Sequence, residues 1–244
     1  MQNFPLIILF NFAASMVCLV AAVKMYFVAQ EKKNIKINYF FYSFTFIFIY
    51  FFAMGLPLFF VKDSFSVSVV IFLFRPFLLI GGMFLCLIPI SFIKNKIIEK
   101  VYVLATLAIF LGSSVLTFFG LNEVKKFFSH SGIDYWIYPE STLITVSMIL
   151  TGVFLALSFL FAAVFYFRFA LEKREEEVAF GKAIMIGAGC LFLLFAVVSS
   201  HIFGVILGEL IVTNIVASLF FIMSVVFLIA SVNYKGESKR VYYE

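Results

Sequence analysis

Seven apolar runs of 19 to 29 residues, each bounded by short charged or polar stretches, leave this 244-residue chain little choice of fold. They are Pro5 to Gln30, Tyr39 to Val61, Ser66 to Ile93, Val101 to Phe119, Ser141 to Phe169, Ala179 to Phe203 and Val205 to Val232. A helix needs about 20 apolar residues to cross a hydrocarbon core about 30 Å thick, so every run is long enough to span. None shows the short alternating segments of an outer-membrane barrel. With 64% of residues apolar, 13% charged and a mean hydropathy of +1.14, the chain lies outside the range of soluble domains. The expectation is an all-α membrane protein: one bundle of seven transmembrane helices over residues 1–244, with no soluble domain.

The last boundary rests on length. Ala179 to Val232 is 54 residues, or about 80 Å of helix, so it must cross a core of about 30 Å twice. Ser199, Ser200, Gly204 and Gly208 are the residues suited to the turn between. Orientation follows from the cations. Fourteen Lys and Arg residues flank one set of run ends, among them Lys24, Lys32, Lys33, Lys36, Lys94, Lys96, Lys100 and Arg168. Only Lys62, Lys125 and Lys126 flank the other set. Basic residues stay on the cytoplasmic side, which puts the amino terminus outside and the carboxyl terminus in the cytoplasm of a cell membrane. The same distribution explains the net charge of +5 without nucleic acid. MQNFPLIILF has no basic residue ahead of its apolar run, so the first helix is expected to be retained rather than cleaved as a signal.

Small and polar residues within the runs are expected to face protein. Gly81 and Gly82 in the third run, and Gly187, Ala188 and Gly189 in the sixth, allow close helix approach. Cys18, Cys86 and Cys190 each lie inside an apolar run, which suits packing and not a disulfide or metal framework. The 37 Phe residues surround their helices and need no role beyond apolarity. The longest outer connection, Gly120 to Glu140, carries Trp136 between Tyr135 and Tyr138 and reads as an interfacial helix or loop, with a lid over the bundle as the functional alternative.

One cation falls deep inside a run. Arg75, nine residues past Ser66, would lie about 14 Å into its span. A guanidinium in hydrocarbon costs at least about 2.5 to 3.5 kcal/mol, so it should face the bundle interior or a wet cavity. Pro76 follows it and frees a carbonyl one turn earlier, which adds to the need for polar company. Glu209, the single carboxylate inside a run, lies near the outer start of helix VII. His201 at the outer end of helix VI, Glu140 at the entry of helix V and Asn11 with Ser15 in helix I share that leaflet. Two readings stay open: an outward-facing pocket with Arg75 at its floor, able to hold an anion, or a structural Arg75–Glu209 ion pair.

No catalytic set is visible. One helical histidine and no HExxH argue against zinc, and a haem spanning two helices would want a second histidine. REEEVAFGK resembles the paired glutamates of CAAX-type intramembrane proteases but lacks their following arginine and histidine motif. The seven-helix plan is similar to that of microbial rhodopsins, yet the last run holds no lysine for a retinal Schiff base. It is also similar to the seven-span sensory regions that precede bacterial histidine kinases and to sugar carriers built of two three-helix repeats. The expected function is a non-enzymatic receptor-like or sensory module with no cofactor, taking an anionic or small polar ligand. Since KGESKRVYYE carries no output domain, signalling would pass to a cytoplasmic protein partner. A small transporter, or a non-catalytic subunit of a membrane complex, is the alternative.

The charge asymmetry predicts that reporter fusions at Glu31, Asn95, Glu175 and Glu244 read cytoplasmic, and fusions at Asp63, His130 and Gly204 read external. A cytoplasmic signal at His130 would refute the orientation.

Overall fold

The structure, a computed structural model, describes residues 6–55, 64–93, 95–120, 126–130, 133–137, 142–203 and 210–234. In chain order its helices are α1 (Leu6–Lys32), α2 (Ile35–Gly55), α3 (Ser64–Ile93), α4 (Lys96–Gly120), α5 (Thr142–Glu172), α6 (Glu177–Val197) and α7 (Leu210–Asn233). A π-helical turn, Val198–Phe203, prolongs α6. Among the described residues seven helices are long and apolar enough to cross a membrane. The chain is thus a multi-pass membrane protein with an all-α bundle.

Several helices begin before their apolar runs, because polar residues supply the caps. The Asn34 side-chain carbonyl accepts from the backbone N–H of Lys36 at 2.9 Å, and that of Asn95 accepts from Ile97 at 2.9 Å. Each asparagine satisfies a backbone donor that a helix start leaves without a partner. Between α1 and α2 the turn is so tight that Lys33 takes a φ of 45°. Short connections of this kind make sequence neighbours antiparallel, so α1 packs on α2, α2 on α3, α5 on α6 and α6 on α7. Contact between α1 and α7 closes the ring, and α3 touches α5 across it.

The cation-rich ends gather at one end of this ring. There the Lys24 ammonium donates to the Asn233 side chain, Lys36 lies over the Phe92 ring and the Tyr39 hydroxyl donates to Glu99. Arg168 pairs with Glu172 at 3.1 Å and Lys173 with Glu176, both with exposed side chains. Such solvated pairs contribute little, about 0.3 to 0.5 kcal/mol each.

The glycines lie where helices approach most closely. A Cβ at Gly81 would come within 2.5 Å of Ile47 Cγ1, and one at Gly82 within 2.7 Å of Leu155 Cδ2, so this pair lets α3 press on α2 and α5 at once. Gly187 faces the Phe167 ring, and Gly189 faces Leu228 and the Ser224 carbonyl. All three cysteines are buried and free.

Two expectations need correction. Ser199 and Ser200 do not make the turn between the last two helices but belong to the π-helical prolongation of α6. Gly204 and Gly208 lie outside the described residues. The Gly120–Glu140 connection contains a hairpin of β1 (Lys126–His130) and β2 (Ile133–Ile137), not an interfacial helix or irregular loop. Its antiparallel register pairs Lys126 with Ile137 and His130 with Ile133. Both segments are rich in aromatic or β-branched residues, and a Ser-Gly pair stands between them in the sequence at the spacing that favours hairpins. β2 lies against α1 and α7.

These contacts predict a contrast between glycines. Gly189→Ala forces a methyl to 2.9 Å from Leu228 Cγ, whereas Gly112→Ala meets nothing within 4 Å. Thermal melts of the purified variants should show a loss of about 1 to 3 kcal/mol for the first. The second should be neutral or stabilising by up to about 1 kcal/mol. Equal melts would disprove close packing of α6 on α7.

Candidate functional site

Arg75 projects from the first half of α3 toward the start of α5. Its Nη2 donates to Thr151 Oγ1 at 2.7 Å and its Nη1 to Ser147 Oγ at 3.3 Å. Both hydroxyls are nearly or wholly inaccessible, at 2% and 0% exposure. Each has a single proton, and each has a backbone carbonyl to give it to: Thr151 reaches Ser147 O at 2.9 Å, and Ser147 reaches Ser113 O at 3.0 Å. With the protons so placed, their lone pairs point at the guanidinium. Thr117 Oγ1 lies 3.0 Å from Ser147 Oγ and 2.8 Å from the same Ser113 carbonyl. A chain of hydroxyls on α4 and α5 therefore meets the cation. Hydrogen bonds in such a chain polarise and strengthen one another.

Beside this cluster is a cavity of about 130 Å³ to which all seven helices contribute. Its polar lining is Asn11, Tyr50, Arg75, Thr117, Ser200, His201 and Ser218. The rest is apolar, with Ile47, Phe51, Met54, Leu78 and Phe221 prominent. Few polar groups in a mainly apolar concavity is the usual make-up of a small-molecule site.

The π turn explains how Ser200 and His201, consecutive in sequence, both reach the lining. π turns widen a helix by one residue and occur often at functional sites. Ser200 Oγ lies 2.7 Å from His201 Nδ1. With the hydroxyl donating, a neutral His201 carries its proton on Nε2. On the other side Gly152 lets the turn close on α5, since a Cβ there would come within 2.5 Å of His201 Cβ. Gly152 follows Thr151 directly, so one short stretch of α5 seats both the arginine and the histidine.

Of the five residues singled out from the sequence, Arg75, His201 and Asn11 line this one cavity. Asn11 also donates to the Met54 carbonyl at 3.5 Å. Glu140 and Glu209 lie outside the described residues, and with them the Arg75–Glu209 contact. Ser15 bonds the Phe12 carbonyl of its own helix at 2.8 Å. The sequence reading missed Ser147, Thr151 and Gly152. A signal existed: Ser113 with Thr117 and Ser147 with Thr151 each stand four residues apart, which puts both hydroxyls of a pair on one helix face. Among the described residues no group of three His, Cys, Asp or Glu side chains is placed to hold a metal ion.

The arginine–hydroxyl contact predicts a coupling. Thr151→Val, nearly equal in volume, should cost about 1 to 2 kcal/mol in the native protein. In an Arg75→Leu background the cost should shrink, and thermal melts of the single and double variants give the coupling energy. Strict additivity would show that the contact contributes nothing.

Comparison with protein-family models, with curated proteins and with solved structures found no match to this chain, so its function must be argued from the cavity itself.

Proposed function

We propose that this chain is a non-enzymatic, receptor-like or sensory module of a cell membrane, taking a small anionic or polar ligand into the cavity beside Arg75 and signalling through a cytoplasmic protein partner. The observation that carries the reading is an arginine inside a membrane-spanning helix, oriented by two buried hydroxyls and itself part of the wall of a cavity that every helix lines. Ionisable residues at such depth mark ligand or ion sites more often than not. The cations clustered at the opposite end of the bundle support a cytoplasmic face there.

A route between the two ends supports the signalling half of the proposal. α6 and α7 both contribute to the cavity and pack along their length. At the far end the Tyr234 ring lies on Gly181, and Asn233 binds Lys24 of α1. A shift of α6 against α7 at the cavity would thus move the start of α6 and the segment that follows α7. A second reading, a small carrier, draws support from the π turn in the cavity wall, because transport sites are often built on interrupted helices.

The test begins with a thermal-shift screen of the purified full chain against chemically varied small anions, alcohols, amides and amines. A ligand of the folded state raises apparent stability with its concentration. Any compound found is then supplied to proteoliposomes. Saturable binding without flux is expected, net flux would replace the receptor by the carrier, and no binder of any class would overturn the ligand site and leave the complex-subunit alternative.

A further inference from the structure

The strands β1 (Lys126–His130) and β2 (Ile133–Ile137) stand between α4 and α5 in the chain, yet β2 lies against α1 and α7. In a ring that α1 and α7 close, α4 is the helix opposite that closure. The hairpin backbone therefore crosses the end of the bundle from one side toward the other. Its reach is of the right order: five residues of strand extend about 17 Å, and a ring of seven helices about 9 Å apart is about 20 Å across.

The cavity lies just below that end. Thr117 and Ile144 line it, three residues before the end of α4 and two after the start of α5. Asn11 is five residues into α1, and Ala217 and Ser218 are seven and eight into α7. At 1.5 Å per residue these lining residues are within about 12 Å of the helix ends that the hairpin crosses. We infer that the hairpin is a lid: seated on α1 and α7 it closes this end of the cavity, and it lifts from them to admit a ligand. This rests on the receptor reading above, since it assigns the regulation of that same cavity.

The energetics suit a part that opens. A two-stranded hairpin alone is marginal in water and needs a surface to lie on. The packing of β2 on α1 and α7 is slight beside that between neighbouring helices, so the hairpin parts from them at far smaller cost than the helices part from one another. Elements that move to admit ligands are drawn from that low-stability end of a fold.

The test measures access to the cavity with no ligand present, so its failure leaves the screen described above to decide the receptor reading separately. Ser218→Cys puts a thiol in the lining, and the full chain in nanodiscs is exposed to a water-soluble methanethiosulfonate reagent that does not enter lipid. Cys18, Cys86 and Cys190 are buried and free, so the chain without that substitution gives the background. Two variants displace the lid. One replaces residues 126–137 by a short glycine-serine link; the other, Phe128→Pro with Ser129→Pro, keeps the length. Successive N–H groups of a strand point to opposite sides, so one of the two prolines removes a donor from the β1–β2 ladder. Minor open conformers are populated at about 0.1 to 10%, so labelling of the new thiol should be slow in the full chain and at least about tenfold faster in both variants. Should the shortened chain fail to fold, the proline pair gives the same readout. Equal rates with and without an intact hairpin overturn the lid. A rise that extends to Cys18, Cys86 and Cys190 shows that the hairpin holds the bundle together instead of covering it, and overturns the lid as well.

Discussion

A permanent positive charge inside an apolar helix is the constraint on which the cavity end of this bundle depends. Arg75 cannot shed its proton, and hydrocarbon offers no solvation, so the protein must supply acceptors in place of water. Two of them are hydroxyls on α5, and those are backed by a third on α4 and by helix carbonyls. The outcome is a polar seam joining α3, α4 and α5. Its cost in a low-dielectric setting is limited because each hydroxyl proton has an acceptor in reach, the Ser147 carbonyl for Thr151 and a shared Ser113 carbonyl for Ser147 and Thr117.

That seam requires the helices to be close, and closeness comes from glycine. Gly82 removes the side chain that would hold α3 away from Leu155 on α5, and Gly152 does the same where the π turn meets α5. Without a hydrophobic effect between helices in lipid, such small-residue contacts and interhelical hydrogen bonds are what remain to drive packing. One glycine pair thus serves two ends: it brings hydroxyls within reach of a cation, and it sets the wall of the cavity beside them.

The outward surface follows the opposite rule from a soluble protein. On α4 the exposed residues include Ile97, Val101, Leu104, Leu107, Leu111, Val115 and Phe118, while Thr106, Ser113 and Thr117 are buried. Lipid solvates the first set. The second set bonds carbonyls of its own helix, and Thr117 also meets Ser147 of α5, partners that stand in for water. Hence the hydroxyl that backs the Arg75 cluster from α4 sits on the inner face of a helix whose outer face is apolar from Val101 onward.

Much of the fold was legible in the sequence because its cause is one-dimensional. The length of an apolar run decides whether it spans, and Asn34 and Asn95 cap their helices through bonds to residues two positions on. The need of Arg75 for an interior position was equally plain, since it depends on charge and solvent alone. Its actual partners were not. Ser147 and Thr151 stand 72 and 76 positions away, and their spacing of four marks a shared helix face without saying which side chain that face meets. Likewise Ser199 and Ser200 looked like turn residues by composition, yet packing on α5 and α7 keeps them helical. The residues that cross a bilayer are determined by transfer free energy, which each segment carries within itself. Which side chains then meet is decided by how the helices rotate and approach, and that depends on glycine contacts between segments far apart in the chain.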